Sequence, residues 1–89
     1  MATWRKLISE EMEMWGDTWS NVESCTLSDA DLDAEFDENY GVQKGKPFTV
    51  WTKYRVYFPG LFDGSEWAAS VARHPDGEPT DHVGGGGRR

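Results

Sequence analysis

PFTVWTKYRVYFP, residues 47–59, decides the fold. Two runs of β-branched and aromatic residues, FTVWT and YRVYFP, flank a join at Thr52 to Tyr54. Each reads as a strand, because bulky side chains of this kind fit a pleated, half-buried surface. A weaker third run, SEWAASVAR from Ser65 to Arg73, is entered through Asp63-Gly64. Three successive strands with short joins predict an antiparallel three-stranded meander. Alternation places Phe48, Val50, Val56 and Phe58 on a dry face against helices, and Thr49, Trp51, Lys53, Arg55 and Tyr57 on the other.

Those helices must come from upstream. Thr3 is placed to cap a helix in which Trp4, Leu7, Ile8 and Trp15 recur at helical spacing, and Gly16 supplies the stop. Residues 17–26 are short and rich in Ser, Asn and Thr, a connector anchored by Trp19 and Val22 in which Asp17 can cap a brief turn. In SDADLDAEFDENYG, residues 28–41, Ser28 is the N-cap, Asp31 stands three positions on, and Leu27 can staple to Leu32. Leu32, Phe36 and Tyr40 then form one apolar stripe ending at Gly41, which predicts a helix over about 29–39. From His74, HPDGEPTDHVGGGGRR has too little apolar surface to offset ordering, so residues 74–89 read as a flexible tail on a single domain, 1–73. The expected class is α+β: two to three N-terminal helices, the meander, then the tail.

Composition narrows the function. A chain of 89 residues buries only about 60 to 65% of its unfolded surface, and five tryptophans, four phenylalanines and three tyrosines supply the apolar area that a small core needs. Cys25 is alone, and with His74 and His82 it makes no usable zinc set, so neither a disulfide nor a metal is expected and a reducing compartment fits. The N-terminal MATWRKLISEEMEMW carries charges where a signal peptide needs an apolar run, and no stretch approaches a membrane span; a soluble, cytoplasmic protein is the expectation. The net charge of -7 is unevenly laid out. Residues 10–38 hold Glu10, Glu11, Glu13, Asp17, Glu23, Asp29, Asp31, Asp33, Glu35, Asp37 and Glu38 with no Lys or Arg, whereas residues 39–62 hold Lys44, Lys46, Lys53 and Arg55 with no acid.

Three chemical readings compete for these charges. A calcium loop beginning at Asp29 would need Gly and Glu where Ala34 and Tyr40 stand, so the ion is not expected. The face carrying Trp51, Tyr57, Lys53 and Arg55 has the ingredients of a stacking platform for single-stranded nucleic acid, although the acidic half of the chain would repel the same phosphates. No convergent nucleophile, base or cofactor pattern appears, and an enzyme is not expected. The acids of 29–38 form two like-charged ladders with no cation in the run to relieve them; an ordinary solvated helix face is the usual reading of such a run, and a surface read by a basic partner is the functional alternative.

The blocks SCTLSDADLDAEFD, YG, GKPFTVWT, RVYFP, DGSEW and HVGG, over about residues 24–86, resemble a family of small proteins of bacterial viruses and prophages that has no assigned activity. Members of that family carry a cysteine near the position of Asp76, where this chain departs. The resemblance implies a setting in which small acidic proteins inhibit host defence or nucleic-acid machinery. The expectation is therefore a non-enzymatic, DNA-mimicking inhibitor of a host nucleic-acid-handling complex, anti-CRISPR-like in kind. Asp29, Asp31, Asp33, Glu35, Asp37 and Glu38 would supply the charge, and Tyr40 or Trp51 the anchor. No cofactor, membrane or direct nucleic-acid partner is favoured. The alternatives are a nucleic-acid-binding hairpin module and a small virion or assembly protein.

Overall fold

The computed structural model describes residues 2–37, 45–62 and 65–80. Helix α1, Trp4–Trp15, starts where the Thr3 hydroxyl accepts the Lys6 N–H and stops at Gly16, whose left-handed backbone (φ 69°) lets its N–H reach the Met12 and Glu13 carbonyls. A single 3-10 turn at Trp19–Asn21 leads into β1, Val22–Cys25, and then into α2, Asp29–Asp33. Strands β2 (Val50–Thr52), β3 (Arg55–Phe62) and β4 (Ser65–Ala72) follow. The sheet is antiparallel in the order β1-β2-β3-β4, with α1 packed on one face against β4. The molecule is 18 Å across its shortest dimension, room for one sheet layer and one helix layer.

Trp4 is the centre of the core. It is 1% exposed, its ring lies 4.7 Å from Phe48 and 4.9 Å from Phe36, and its indole N–H donates to the Lys46 carbonyl at 3.0 Å. Ile8, Met12, Leu27, Leu32, Val50, Tyr57 and Ala68 complete the dry interior among the described residues.

The α+β class stands, but the sheet has four strands rather than three. The additional strand, β1, lies inside the expected connector 17–26. Its pairing with β2 shifts register between Val22 and Ser24, so Val22 and Cys25, three positions apart, both pack on the core. That irregularity breaks the two-residue period by which a strand is recognised.

Helix α2 is also shorter than the predicted 29–39. It ends at Asp33, and Ala34 is extended (ψ 128°). Phe36 then exchanges both backbone hydrogen bonds with Ala2, at 2.8 and 2.9 Å, and reaches Trp4 from this extended segment. The long-range bridge outcompetes continuation of the helix. Glu38, Tyr40 and Gly41 lie outside the described residues. Residues 74–80 belong to no helix or strand and are exposed.

The faces of β3 are the reverse of those expected. Val50 pairs with Tyr57 and Trp51 with Val56, which leaves only Lys53 and Tyr54 between the strands. A join of two residues instead of three exchanges the two faces of the following strand. Tyr57 and Arg55 consequently turn toward α1, and Val56 and Phe58 are half-buried on the outer face with Trp51. Thr52 enforces the short turn: its hydroxyl accepts the Tyr54 and Arg55 N–H groups at 3.1 and 2.9 Å.

Two glycines permit close approaches. A Cβ at Gly45 would fall 2.5 Å from the Trp4 ring and 2.8 Å from a Glu66 carboxylate oxygen, and one at Gly60 would fall 2.7 Å from the Trp67 indole. Trp4 is locked in the core, whereas Trp67 is half-buried on the outer face and can shift. Gly45→Ala is expected to destabilise the fold by about 3 kcal/mol and Gly60→Ala by about 1 kcal/mol, as overpacking of rigid and yielding sites does. Urea denaturation of the two variants checks the order.

Candidate partner-binding surface

Ser28 sets α2 by accepting the Asp31 N–H at 3.1 Å, and buried Leu32 fastens the helix to the core. The acids on this frame are not an unrelieved ladder. Arg5, in the first turn of α1, donates through Nε to Asp33 at 2.6 Å and through a terminal nitrogen to Asp29 at 3.2 Å, and Lys46 donates to Asp31 at 3.0 Å. These bonds hold Asp33 and Asp31 below the ordinary carboxylate range, through Arg5 and Lys46 respectively, and raise Arg5 through Asp33 and then Asp29. The expectation of acids without counter-charge is corrected, because the cations come from residues 5 and 46, outside the acidic run.

Pairing does not withdraw the carboxylates from solvent: the side chains of Asp29 and Asp33 are 94% and 60% exposed. Glu35 is exposed and Asp37 half-buried on the extended segment beyond α2. Glu38 and Tyr40 are outside the described residues. Trp51 is half-buried on the outer sheet face, opposite Val50 and Tyr57 and away from α1, so the structure does not bring it together with the acids.

The expected stacking platform on the hairpin is dismantled by the same face reversal. Tyr57 is fully buried, and its hydroxyl donates to Asp17 at 2.7 Å. Arg55 donates through Nε to Ser70 at 2.9 Å and stacks over the Trp15 ring at 3.8 Å.

Beneath the surface lie three buried carboxylates that period and charge counting do not reveal. Asp17 accepts from Thr52 (2.6 Å), Tyr57 (2.7 Å), Asn21 (2.9 Å) and the Thr18 N–H (2.8 Å). Burial works to raise its pKa, but the bonds from Thr52, Asn21, Tyr57 and Thr18 outweigh it and hold the carboxyl below its ordinary range. Burial, followed by the Asp17 carboxylate, pushes the Tyr57 hydroxyl well above the ordinary phenol value, which keeps it a donor. Glu11 accepts from Ser70 at 2.8 Å and from the Trp15 indole at 2.9 Å. Glu66 receives the Gly45 N–H on both oxygens, at 3.0 and 3.2 Å. The one local sign of such burial is Asp17, which directly follows the helix stop at Gly16.

This arrangement is structural chemistry. Each buried acid has donors from a different chain segment, and among the described residues no three His, Cys, Asp or Glu side chains converge as a metal site requires. No helix among the described residues is long and apolar enough to cross a membrane.

Asp17→Ala leaves the Thr52 and Tyr57 hydroxyls unsatisfied and is expected to cost about 3 kcal/mol, against about 1.5 kcal/mol for Tyr57→Phe. A carboxyl whose folded pKa lies below its unfolded value contributes stability above the unfolded value, about 3.9, and loses it as pH falls through the folded one. Acidification from about pH 5 to pH 2 is therefore expected to remove from the wild type an increment of stability that Asp17→Asn lacks at the outset. Urea midpoints across this range measure the difference.

Compared with models of protein families, with curated proteins and with solved structures, the chain matches none.

Proposed function

We propose that the chain is a non-enzymatic binding protein whose acidic flank, centred on α2, docks on a basic surface of a nucleic-acid-handling complex. Its setting is that of a small inhibitor from a bacterial virus or prophage acting in the host cytoplasm. The observation that carries this reading is the run of eleven acids without a base over residues 10–38, part of which α2 presents to solvent. Arg5 and Lys46 hold Asp29, Asp31 and Asp33 at set positions while the carboxylates outnumber them. Fixing charges before contact lowers the ordering cost of binding, and closely spaced carboxylates present a Lys- and Arg-lined groove with the charge pattern of phosphates. Glu35 and Asp37 extend the negative surface beyond α2. The tryptophan at position 51 is not part of this surface.

Affinity capture from bacterial lysate tests the reading. The wild type is expected to retain a nucleic-acid-binding protein that duplex DNA displaces and whose recovery falls at least about tenfold between about 50 and 300 mM salt. Recovery is expected to fall similarly for Asp29→Lys combined with Glu35→Lys. Capture that neither salt, DNA nor the charge reversal alters overturns it.

A further inference from the structure

Helices α1 and α2 pack on one face of the sheet, and no helix or strand among the described residues covers the other. Residues paired across antiparallel strands point to the same face. Trp51, Val56 and Val71 therefore form one cross-strand row of the outer face, Phe58 and Ala69 a second, and Gly60 and Trp67 a third, in which the indole lies over the glycine. Trp51, Val56, Phe58, Trp67 and Val71 are half-buried, and Ala69 in the middle row is buried. An antiparallel sheet that turns one face to water carries polar side chains there, whereas these outward positions are apolar. Ser24, opposite Trp51, and Ser65 are the polar members, and none of the described strand residues on this face is charged. At the rim Arg73 reaches the Thr52 carbonyl at 2.8 Å and pairs with Glu23, so those two charges cancel.

We propose that the outer sheet face is a self-association surface, on which a second copy of the chain packs sheet to sheet. A two-fold contact lays a surface on its own copy, which suits a face without charge on a chain whose net charge is -7. The exposed acids of α1 and α2 stand on the opposite layer of each molecule. With the two sheets stacked about 10 Å apart, those layers lie on opposite outer surfaces, at least about 30 Å from each other and several screening lengths of roughly 8 Å, so like charge opposes the contact little. The chain's own C-terminal residues, 74–89, carry one aliphatic side chain, Val83, too little to serve as the cover instead. Strands about 4.8 Å apart, rising about 3.3 Å per residue, give the face a footprint on the order of 400 Å² per copy. That is about half of the roughly 800 Å² per partner in a standard interface, so the pairing is weak and depends on concentration.

Sedimentation equilibrium of the full chain from about 5 to 500 µM, in about 0.15 and 1 M salt, is the test. Monomer is expected at the low end and dimer at the high end, with association no weaker at the higher salt, because burial of apolar surface is not screened. In the ¹⁵N-labelled chain the Trp51 and Trp67 indole N–H resonances are expected to shift with concentration while those of Trp4 and Trp15, on the helix side, stay in place. These wild-type resonances locate the contact without any variant. Val71→Glu, which would bury two carboxylates in each dimer, is expected to weaken association at least about tenfold, with circular dichroism reporting that the fold is kept. Asp29→Lys combined with Glu35→Lys is expected to leave it within about twofold, so the inference is independent of the acidic flank. The proposal is overturned by a chain that stays monomeric at the highest concentration, which would leave the face to a different protein. Association that is lost at the higher salt, or that moves the Trp15 indole and not those of Trp51 and Trp67, overturns it as well.

Discussion

The Asp17 carboxylate, buried just past the end of α1, is held by Thr52 from β2, Tyr57 from β3, Asn21 from the turn before β1 and the backbone of Thr18. An acid in this position is tolerable only when all of its donors arrive, because an unpaired buried carboxylate is far more costly than the same group in water. Arrival of Tyr57 requires β3 to turn its odd-numbered residues toward the helix, and arrival of Thr52 requires the two-residue join. One polar contact therefore selects the register of the hairpin from alternatives that apolar burial alone separates poorly. Val56 and Phe58 would have filled the interior almost as well by hydrophobicity, but neither can donate to Asp17.

The same economy governs the charges. The three ion pairs at α2 are exposed, and exposed pairs add little to stability because solvent and salt screen them. Their larger effect is positional. Arg5 links α2 to α1, and Lys46 links α2 to the segment entering β2. The charges of α1 itself run against its dipole, with Arg5 in the first turn and Glu13 in the last, and the partners brought by the fold offset this: Asp29 and Asp33 pair with Arg5 at the positive end, and Arg55 lies over Trp15 at the negative end.

Legibility in the sequence followed distance along the chain. The limits of α1 at Thr3 and Gly16, the cap at Ser28 and the strand character of 50–58 depend on residues within a few positions of one another, and all were readable. Strand β1 was hidden because its register shift spaces Val22 and Cys25 out of alternation. Leu32, Phe36 and Tyr40 satisfy a helical stripe in the sequence, while the bridge from Phe36 to Ala2 beyond the end of α2 at Asp33 has no local signature. At the candidate surface the acids themselves were legible and their counter-charges were not.

By itself, the sequence determined an aromatic-rich α+β domain with capped helices, a strand-forming hairpin and an acidic stretch segregated from a basic one. Tertiary structure alone decided which face of β3 is dry, that Arg5 reaches across 28 residues to Asp33, and that Trp15 and Arg55 stack at the far end of α1. The reason is physical: caps and periodicities are written in neighbouring residues, but the partner of a buried or clamped charge is fixed only when the chain closes and water leaves the space between them.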